Sequence, residues 1–280
     1  MVAQLSCLGG RLEALYRTFN RREYVKPDPI QFLYLYPDPR DQEVVGVIAS
    51  SLAYGRVAQI LRSVEAVLSI LGQRPAMFLR RIGKRRLSHM LCGFRHRFTT
   101  GDEMASLLFS VKNILSEYGS LEACFLEGYD AGFQTIVPAL SSFVQRMRDA
   151  SDLRLPSYLF PDPAQGSACK RPFMYLRWMV RRDDVDPGCW SGISPAKLVA
   201  PLDAHLFRIT RDMGFTRRNS PDLGAAMEVT SCFREIAPDD PLKYDFVLTR
   251  FGIRKDPCFL GHPLTAKVFP PSEPPQDAIP

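Results

Sequence analysis

A chain of 280 residues with 46% hydrophobic, 24% charged and 11% aromatic residues holds enough apolar material for one large core or two small ones, which excludes a disordered, collagen-like or low-complexity protein. Lysine and arginine number 36 against 30 acidic residues, a formal net charge of +6. The seven cysteines are odd in number and form neither a CxxC pair nor a ligand-like cluster, so a disulfide framework and a metal site are not expected and a reducing compartment fits best.

Read from the first residue, Met1-Val2-Ala3-Gln4-Leu5 lacks the basic flank and long apolar stretch of a signal peptide. No run approaches the roughly 18 apolar residues of a membrane helix. A cytoplasmic protein without membrane contact is the expectation. Val44, Ile48 and Leu52 recur every four residues, and Val57, Ile60, Leu61, Val64, Val67, Leu68 and Leu71 resume at helical spacing after a break. Gly55 supplies the tight turn between these two helices and leaves Tyr54 and Arg56 projecting from it.

Residues 74–97 then hold eight basic residues and no acidic one, so this segment alone exceeds the net charge of the chain and the remainder is net acidic. With His89, Phe94, His96 and Phe98 interleaved, it reads either as a surface for nucleic-acid phosphates, with Arg81, Lys84, Arg85 and Arg86 as contacts, or as a solvated face. Helical patterns follow at 102–118, 134–149, 172–182, 206–213, 221–236 and 241–252, and strand alternation bounded by turn signals is essentially missing. The expected class is therefore all-α. Residues 155–167, with Pro156, Pro161, Pro163 and Gly166, read as a connector between two lobes, one about 43–180 and the other about 1–40 plus 200–260. Residues 1–262 form the helical unit, and the six prolines in 263–280 make a flexible tail.

Two strings carry candidate chemistry. In Gly166-Ser167-Ala168-Cys169-Lys170-Arg171-Pro172, Pro172 suits a first helical turn, which puts Lys170 at a helix N-terminus. The macrodipole and Arg171 disfavour a second cation there, so Lys170 is either an amine nucleophile or one more surface cation. In Pro201-Leu202-Asp203-Ala204-His205, Asp203 begins a helix. It is either an ordinary N-cap or a rigid carboxylate beside a substrate. Trp178, at helical spacing on the Lys170 helix, is a core residue or a stacking platform. No GxGxxG or GxxxxGK[ST] string occurs, so no cofactor is expected.

The stretch Pro201-Leu202-Asp203-Ala204-His205-Leu206-Phe207-Arg208-Ile209 resembles the valine-aspartate-threonine-histidine stretch of helix-hairpin-helix DNA glycosylases such as endonuclease III. Its aspartate is catalytic and starts a helix, a role the resemblance gives to Asp203. Residues 41–54 are similar to the first long helix of that fold, which ends in a polar turn facing DNA, here Tyr54 and Arg56. More closely, residues 24–261 are similar to a bacterial family of proteins of unknown function, distant relatives of those glycosylases. The marks are Leu52-Ala53-Tyr54-Gly55-Arg56, the string around Lys170, Leu176-Arg177-Trp178-Met179-Val180-Arg181 and Pro201-Leu202-Asp203. In archaeal 8-oxoguanine glycosylases the catalytic lysine likewise precedes a helix upstream of the aspartate, which implies the same for Lys170.

The chain departs from that pattern twice. The leucine-proline-glycine-hydrophobic-glycine hairpin is missing, with Asp186-Pro187-Gly188-Cys189-Trp190 a poor substitute, and so is the four-cysteine iron–sulfur loop. The resemblance implies a two-lobed helical glycosylase fold and a DNA-repair-like N-glycosylase, with abasic-site lyase activity, on a base flipped out of duplex DNA. Lys170 would attack the sugar and Asp203 assist. Tyr54 or Arg56 would fill the gap, Arg171 and the 74–97 cations would hold the backbone, and Trp178 would stack. The alternative is a nucleic-acid-binding protein that kept the fold without the chemistry.

Overall fold

Helices with strong start signals carry the chain in the computed structural model, which describes residues 2–151 and 155–253. In order they are α1 (Val2–Phe19), α2 (Pro39–Ser51), α3 (Val57–Leu71), α4 (Pro75–Arg81), α5 (Lys84–Leu91), α6 (Gly101–Glu117), α7 (Leu121–Leu126), α8 (Val137–Asp149), α9 (Lys170–Val180), α10 (Ala204–Asp212), α11 (Leu223–Ile236) and α12 (Asp245–Ile253). Side-chain oxygens cap many of them. Asp38 accepts from Arg40 N at the start of α2, Thr100 and Glu103 form a capping box on α6, and Asp222 caps α11, each satisfying N–H groups that a helix leaves without partners.

The chain is mainly helical, as its periodicity requires. Three local expectations change. Helix α9 begins at Lys170, two residues earlier than the pattern indicates, because Pro172 lies within the first turn, where its missing N–H removes no helical bond. Helices α1 and α7 carry no expectation from sequence: Gly9-Gly10 weakens the propensity of α1, and α7 has only six residues. A two-stranded antiparallel hairpin, β1 (Arg95–His96) and β2 (Thr99–Thr100), pairs Arg95 with Thr100 and His96 with Thr99 at the end of the basic segment, where the sequence gives no strand signal.

The core is built on α2 and α9. Every residue from Val44 to Ser51 is buried, and so is every residue of Pro172–Val180 except Met174. The two helices pack on one another at Gly46, where a Cβ would lie 2.9 Å from Met179 Cε and 3.0 Å from the Tyr175 ring. Helices α4 and α5 cover α6, α7 packs on α8, α10 packs on α12, and α1 lies on α11 and α12. Residues 155–167 are more than a connector. Leu155, Leu159 and Phe160 are buried, Asp162 accepts from Ser141 Oγ at 2.8 Å, and Leu223 N donates to Gly166 O at 3.3 Å, so apolar side chains fix a proline-rich path onto the body. Residues 263–280 lie outside the described residues. No helix among the described residues is long and apolar enough to cross a membrane.

The α2–α9 contact gives the first prediction. Gly46→Ala improves helix propensity but drives a methyl into the buried Tyr175 ring, and overpacking, worth about 1–3 kcal/mol, outweighs a propensity gain below about 1 kcal/mol. A net loss of about 1–2 kcal/mol in urea unfolding is expected; an unchanged or raised midpoint would refute this packing.

Candidate active site

A cavity of about 620 Å³ opens where the α2–α3 turn, the starts of α9 and α10, and α12 meet. Tyr54, Lys170, Arg171, Trp178 and Asp203 line it. Residues distant in sequence converge here because α9 and α10 both begin at the cavity wall, one with Lys170 and the other after Asp203.

Lys170 Nζ lies 3.3 Å from Asp203 Oδ2. The other carboxylate oxygen, Oδ1, accepts from His205 N at 2.9 Å and Leu206 N at 2.8 Å. Asp203 is thus an N-cap and a cavity carboxylate at once: the cap fixes the carboxylate through Oδ1 and leaves Oδ2 facing the amine. Behind Lys170, Cys169 takes a left-handed conformation at φ +45°, costly for a side chain with a Cβ. It is buried and held by its N–H to Ser167 Oγ at 3.3 Å and its thiol to Pro161 O at 3.6 Å. A strained residue therefore precedes the amine and is fixed by its surroundings.

Arg171 donates to Ser51 O at 2.8 Å and to Tyr158 O, and lies 5.0 Å over the Tyr54 ring. It braces the end of α2 to residues 155–167 while presenting charge to the cavity. Trp178 is 1% exposed and also lines the cavity, so it is core and forms part of the wall.

Two further charged residues in the wall escape sequence reasoning. Arg177 is buried, donates from Nε to Asp186 at 3.1 Å and pairs with Asp245. Burial pushes the Asp245 carboxyl above its ordinary value, Arg177 pulls it back and nearby Asp203 adds to the rise. Asp245 Oδ1 is buried without a hydrogen-bond partner. The available signal is a charged residue inside the apolar run of α9, but only the fold pairs it with α12.

The remaining candidates lie elsewhere. Arg56 is exposed at the start of α3 and outside the cavity lining. Arg81 and Arg86 line a second groove beside Arg74, Met77 and Phe78. Arg85 is exposed on α5, and Lys84 Nζ sits 5.4 Å over the Phe109 ring. Arg80 turns inward, donating to Leu115 O and Gly119 O at the end of α6. The basic segment is therefore divided between α4, α5 and the hairpin rather than forming one face. The other lysine close in sequence to Asp203, Lys197 six positions before it, donates from Nζ to Phe133 O at 2.7 Å and is absent from the cavity lining. In the segment compared with the phosphate-gripping hairpin, Gly188 N donates to Trp178 O at 3.1 Å and Trp190 N to Met179 O at 2.8 Å. These amides close the end of α9.

The β1–β2 hairpin adjoins the cavity through Tyr54. The Tyr54 hydroxyl donates to His96 O at 3.1 Å and pairs with Thr99 Oγ1 at 2.5 Å. His96 is fully buried, with Nδ1 2.8 Å from Ser63 Oγ and Nε2 3.1 Å from Tyr54 O. Tyr158 donates to Glu103 at 2.8 Å, and burial together with that carboxylate pushes its hydroxyl up to about 12.

Residues 28–254 match the model of the family described as a protein of unknown function, DUF2400, and the chain belongs to that family. No curated protein and no solved structure matches it.

Burial lowers the His96 pKa from its ordinary value, opposed by the Tyr54 and Leu52 carbonyls and reinforced by Arg97 and Arg171. The unfolded chain binds a proton near the usual histidine value of about 6.5 and the folded chain does so only below it, so stability is fully present above that pH and falls as pH drops towards the folded value. This histidine adds at most about 1.4 kcal/mol per pH unit in that window. Urea unfolding between pH 5 and 8 checks it: the slope should shrink in His96→Asn and would be unaltered if His96 ionised freely.

Proposed function

For this member of the DUF2400 family we propose a two-lobed, glycosylase-like helical fold and the activity of a DNA-repair-like N-glycosylase with abasic-site lyase function. One observation carries the reading: Lys170 and Asp203, on separate helices 33 positions apart in sequence, meet at 3.3 Å in the wall of a cavity large enough for a nucleobase. The lobes would be α2–α9 on one side and α1 with α10–α12 on the other, the cavity lying where their helix ends meet.

In the reaction, Asp203 Oδ2 takes a proton from the Lys170 ammonium, and the freed amine attacks the sugar C1′. The bond between C1′ and the base breaks, its electron pair leaves with the base, and the proton held by Asp203 passes to that base. Having passed that proton on, the Asp203 carboxylate stabilises the positive charge left on the nitrogen bonded to C1′. Of the two protons left on the nitrogen, one is lost to solvent and the other passes to O4′ as the C1′–O4′ bond breaks, which opens the sugar ring and gives an imine to Lys170. A base then removes a C2′ proton, a C2′–C3′ double bond forms, the 3′-phosphate leaves with the electron pair of the C3′–O bond, and water hydrolyses the imine to release the lysine amine and the sugar aldehyde. The buried, unpartnered Oδ1 of Asp245 offers an acceptor to a donor on a bound base. DNA approaches through Arg171, Arg56 and the α4–α5 cations Arg81, Lys84, Arg85 and Arg86.

A second reading, a nucleic-acid-binding protein without catalysis, is favoured by the engagement of the Gly188 and Trp190 amides within the protein. In that reading binding would rest on the basic side chains alone, without a phosphate-gripping hairpin.

Borohydride reduction separates the two, because only a lysine imine is trapped on abasic DNA. Lys170→Gln should abolish trapping with binding nearly intact. Asp203→Asn should slow base release by about 100-fold or more, the usual worth of a positioned proton acceptor, while the melting temperature stays near that of the unaltered chain because asparagine still caps. Trapping by Lys170→Gln would place the nucleophile elsewhere. Absence of trapping and of base release across a lesion panel would leave the binding reading. Reversing the charges of Arg85 and Arg86 should flatten the log–log dependence of DNA affinity on salt, and an unchanged slope would return α5 to a solvated face.

A further inference from the structure

We infer that the β1–β2 hairpin is a wedge that enters the nucleic-acid duplex beside the cavity, with Phe98 as the inserted ring; this rests on the reading of the cavity as a base-accepting pocket. Phe98 is 55% exposed, whereas its neighbours in the hairpin, His96 and Thr99, are fully buried. Those neighbours are pinned: His96 by Ser63 and the Tyr54 carbonyl, Thr99 by the Tyr54 and Tyr158 hydroxyls. The tip at Arg97 takes φ +54°, a conformation that rigid flanks must hold. The hairpin thus fixes its ends in the protein in order to display one large apolar ring in water.

The position of that ring points to what it meets. It stacks on Tyr54, centroids 5.0 Å apart and planes 27° from parallel, and meets Tyr158 edge-on at 4.8 Å. Tyr54 lines the cavity, so Phe98 stands one ring from the lip. The hydroxyl of Tyr54 is engaged and its face is covered by Phe98, which transfers the gap-filling role from Tyr54 to the residue above it. Around the tip, Arg95, Arg97 and Arg56 are exposed. The Arg97 side chain lies across the α2–α3 turn, where a Cβ on Gly55 would be 2.8 Å from its Cδ. Of the acidic residues that follow, Glu103 accepts from Tyr158 and Thr100 N, and Asp102 is exposed. An apolar ring set among arginines matches the interior of a base stack between two phosphate strands. The inserted ring would hold open the gap from which a base has left for the cavity.

The test uses the full chain and a duplex with a tetrahydrofuran abasic analogue opposite 2-aminopurine, compared with an intact duplex. Binding of the unaltered protein should raise 2-aminopurine fluorescence as the ring unstacks that base. In Phe98→Ala the rise should disappear and the preference for abasic over intact duplex should fall about fivefold or more, the usual effect of losing one stacked aromatic. Affinity for intact duplex should change less than about twofold, since phosphate contacts dominate it. Phe98→Leu should restore part of the rise, and it decides the matter should the alanine variant fail to fold. An equal rise in Phe98→Ala, or binding by the unaltered protein with no rise, overturns the wedge and leaves the cavity reading standing. No binding to either duplex overturns both. A full Phe98-dependent rise with no borohydride trapping keeps the wedge and removes only the lyase. Phe98-dependent sedimentation with anionic lipid vesicles in place of DNA binding would overturn the assignment of the partner.

Discussion

Two buried arginines, Arg177 in α9 and Arg181 at the cap that ends it, set the geometry of this protein. Arg177 and Arg181 are 6% and 2% exposed, and neither charge can stay there without compensation. Asp186, fully buried, takes both guanidiniums. Arg177 reaches on to Asp245, and Arg181 to Asp183 and Asp240 at 2.8 Å each. Asp183 is itself fixed by Val185 N, Asp186 N and the Tyr16 hydroxyl. One cluster thereby ties α9 to the turn that follows it, to α12, to the loop before α12 and to α1. Removing a single partner from such a cluster leaves a buried charge, at a cost of about 3–5 kcal/mol.

The cluster lies on the path that fixes the candidate site. Lys170 opens α9, and seven residues later the same helix presents Arg177, which holds Asp245, the first residue of α12. Helix α10 packs on α12 and is capped by Asp203. The 3.3 Å separation of Lys170 and Asp203 is therefore transmitted through buried ion pairs and helix packing, not left to two flexible side chains. This differs from an exposed surface pair, which is worth little and fluctuates. The left-handed Cys169 next to the amine adds a local constraint of the same kind.

Charge at the surface is arranged to a different rule. The eight basic residues of 74–97 fall within one acid-free segment, yet α4, α5 and the hairpin send them in different directions. Arg80 closes α6, Arg81 and Arg86 line a groove apart from the cavity, and Arg95 and Arg97 flank the exposed Phe98. Contiguous charge supplies a long-range field, but contact with one ligand depends on which side chains the turns bring to one face.

The sequence by itself determined the helical class, most helix positions and the identity of the two residues that meet in the cavity. Helical periodicity is a local property of apolar spacing, and Lys170 and Asp203 each stand beside a helix start that short-range signals reveal. Local signals fit Asp203 equally as a cap and as a site carboxylate. In the tertiary structure one oxygen caps α10 and the other faces the Lys170 amine. Only the fold decided that Arg177 and Asp245 form a buried pair in the cavity wall, that Trp178 is both core and wall, that Tyr54 is covered and that Phe98 is displayed. Each of those depends on contacts between residues tens of positions apart, governed by how helices pack and which buried charges must find partners. A linear pattern carries no record of such pairings.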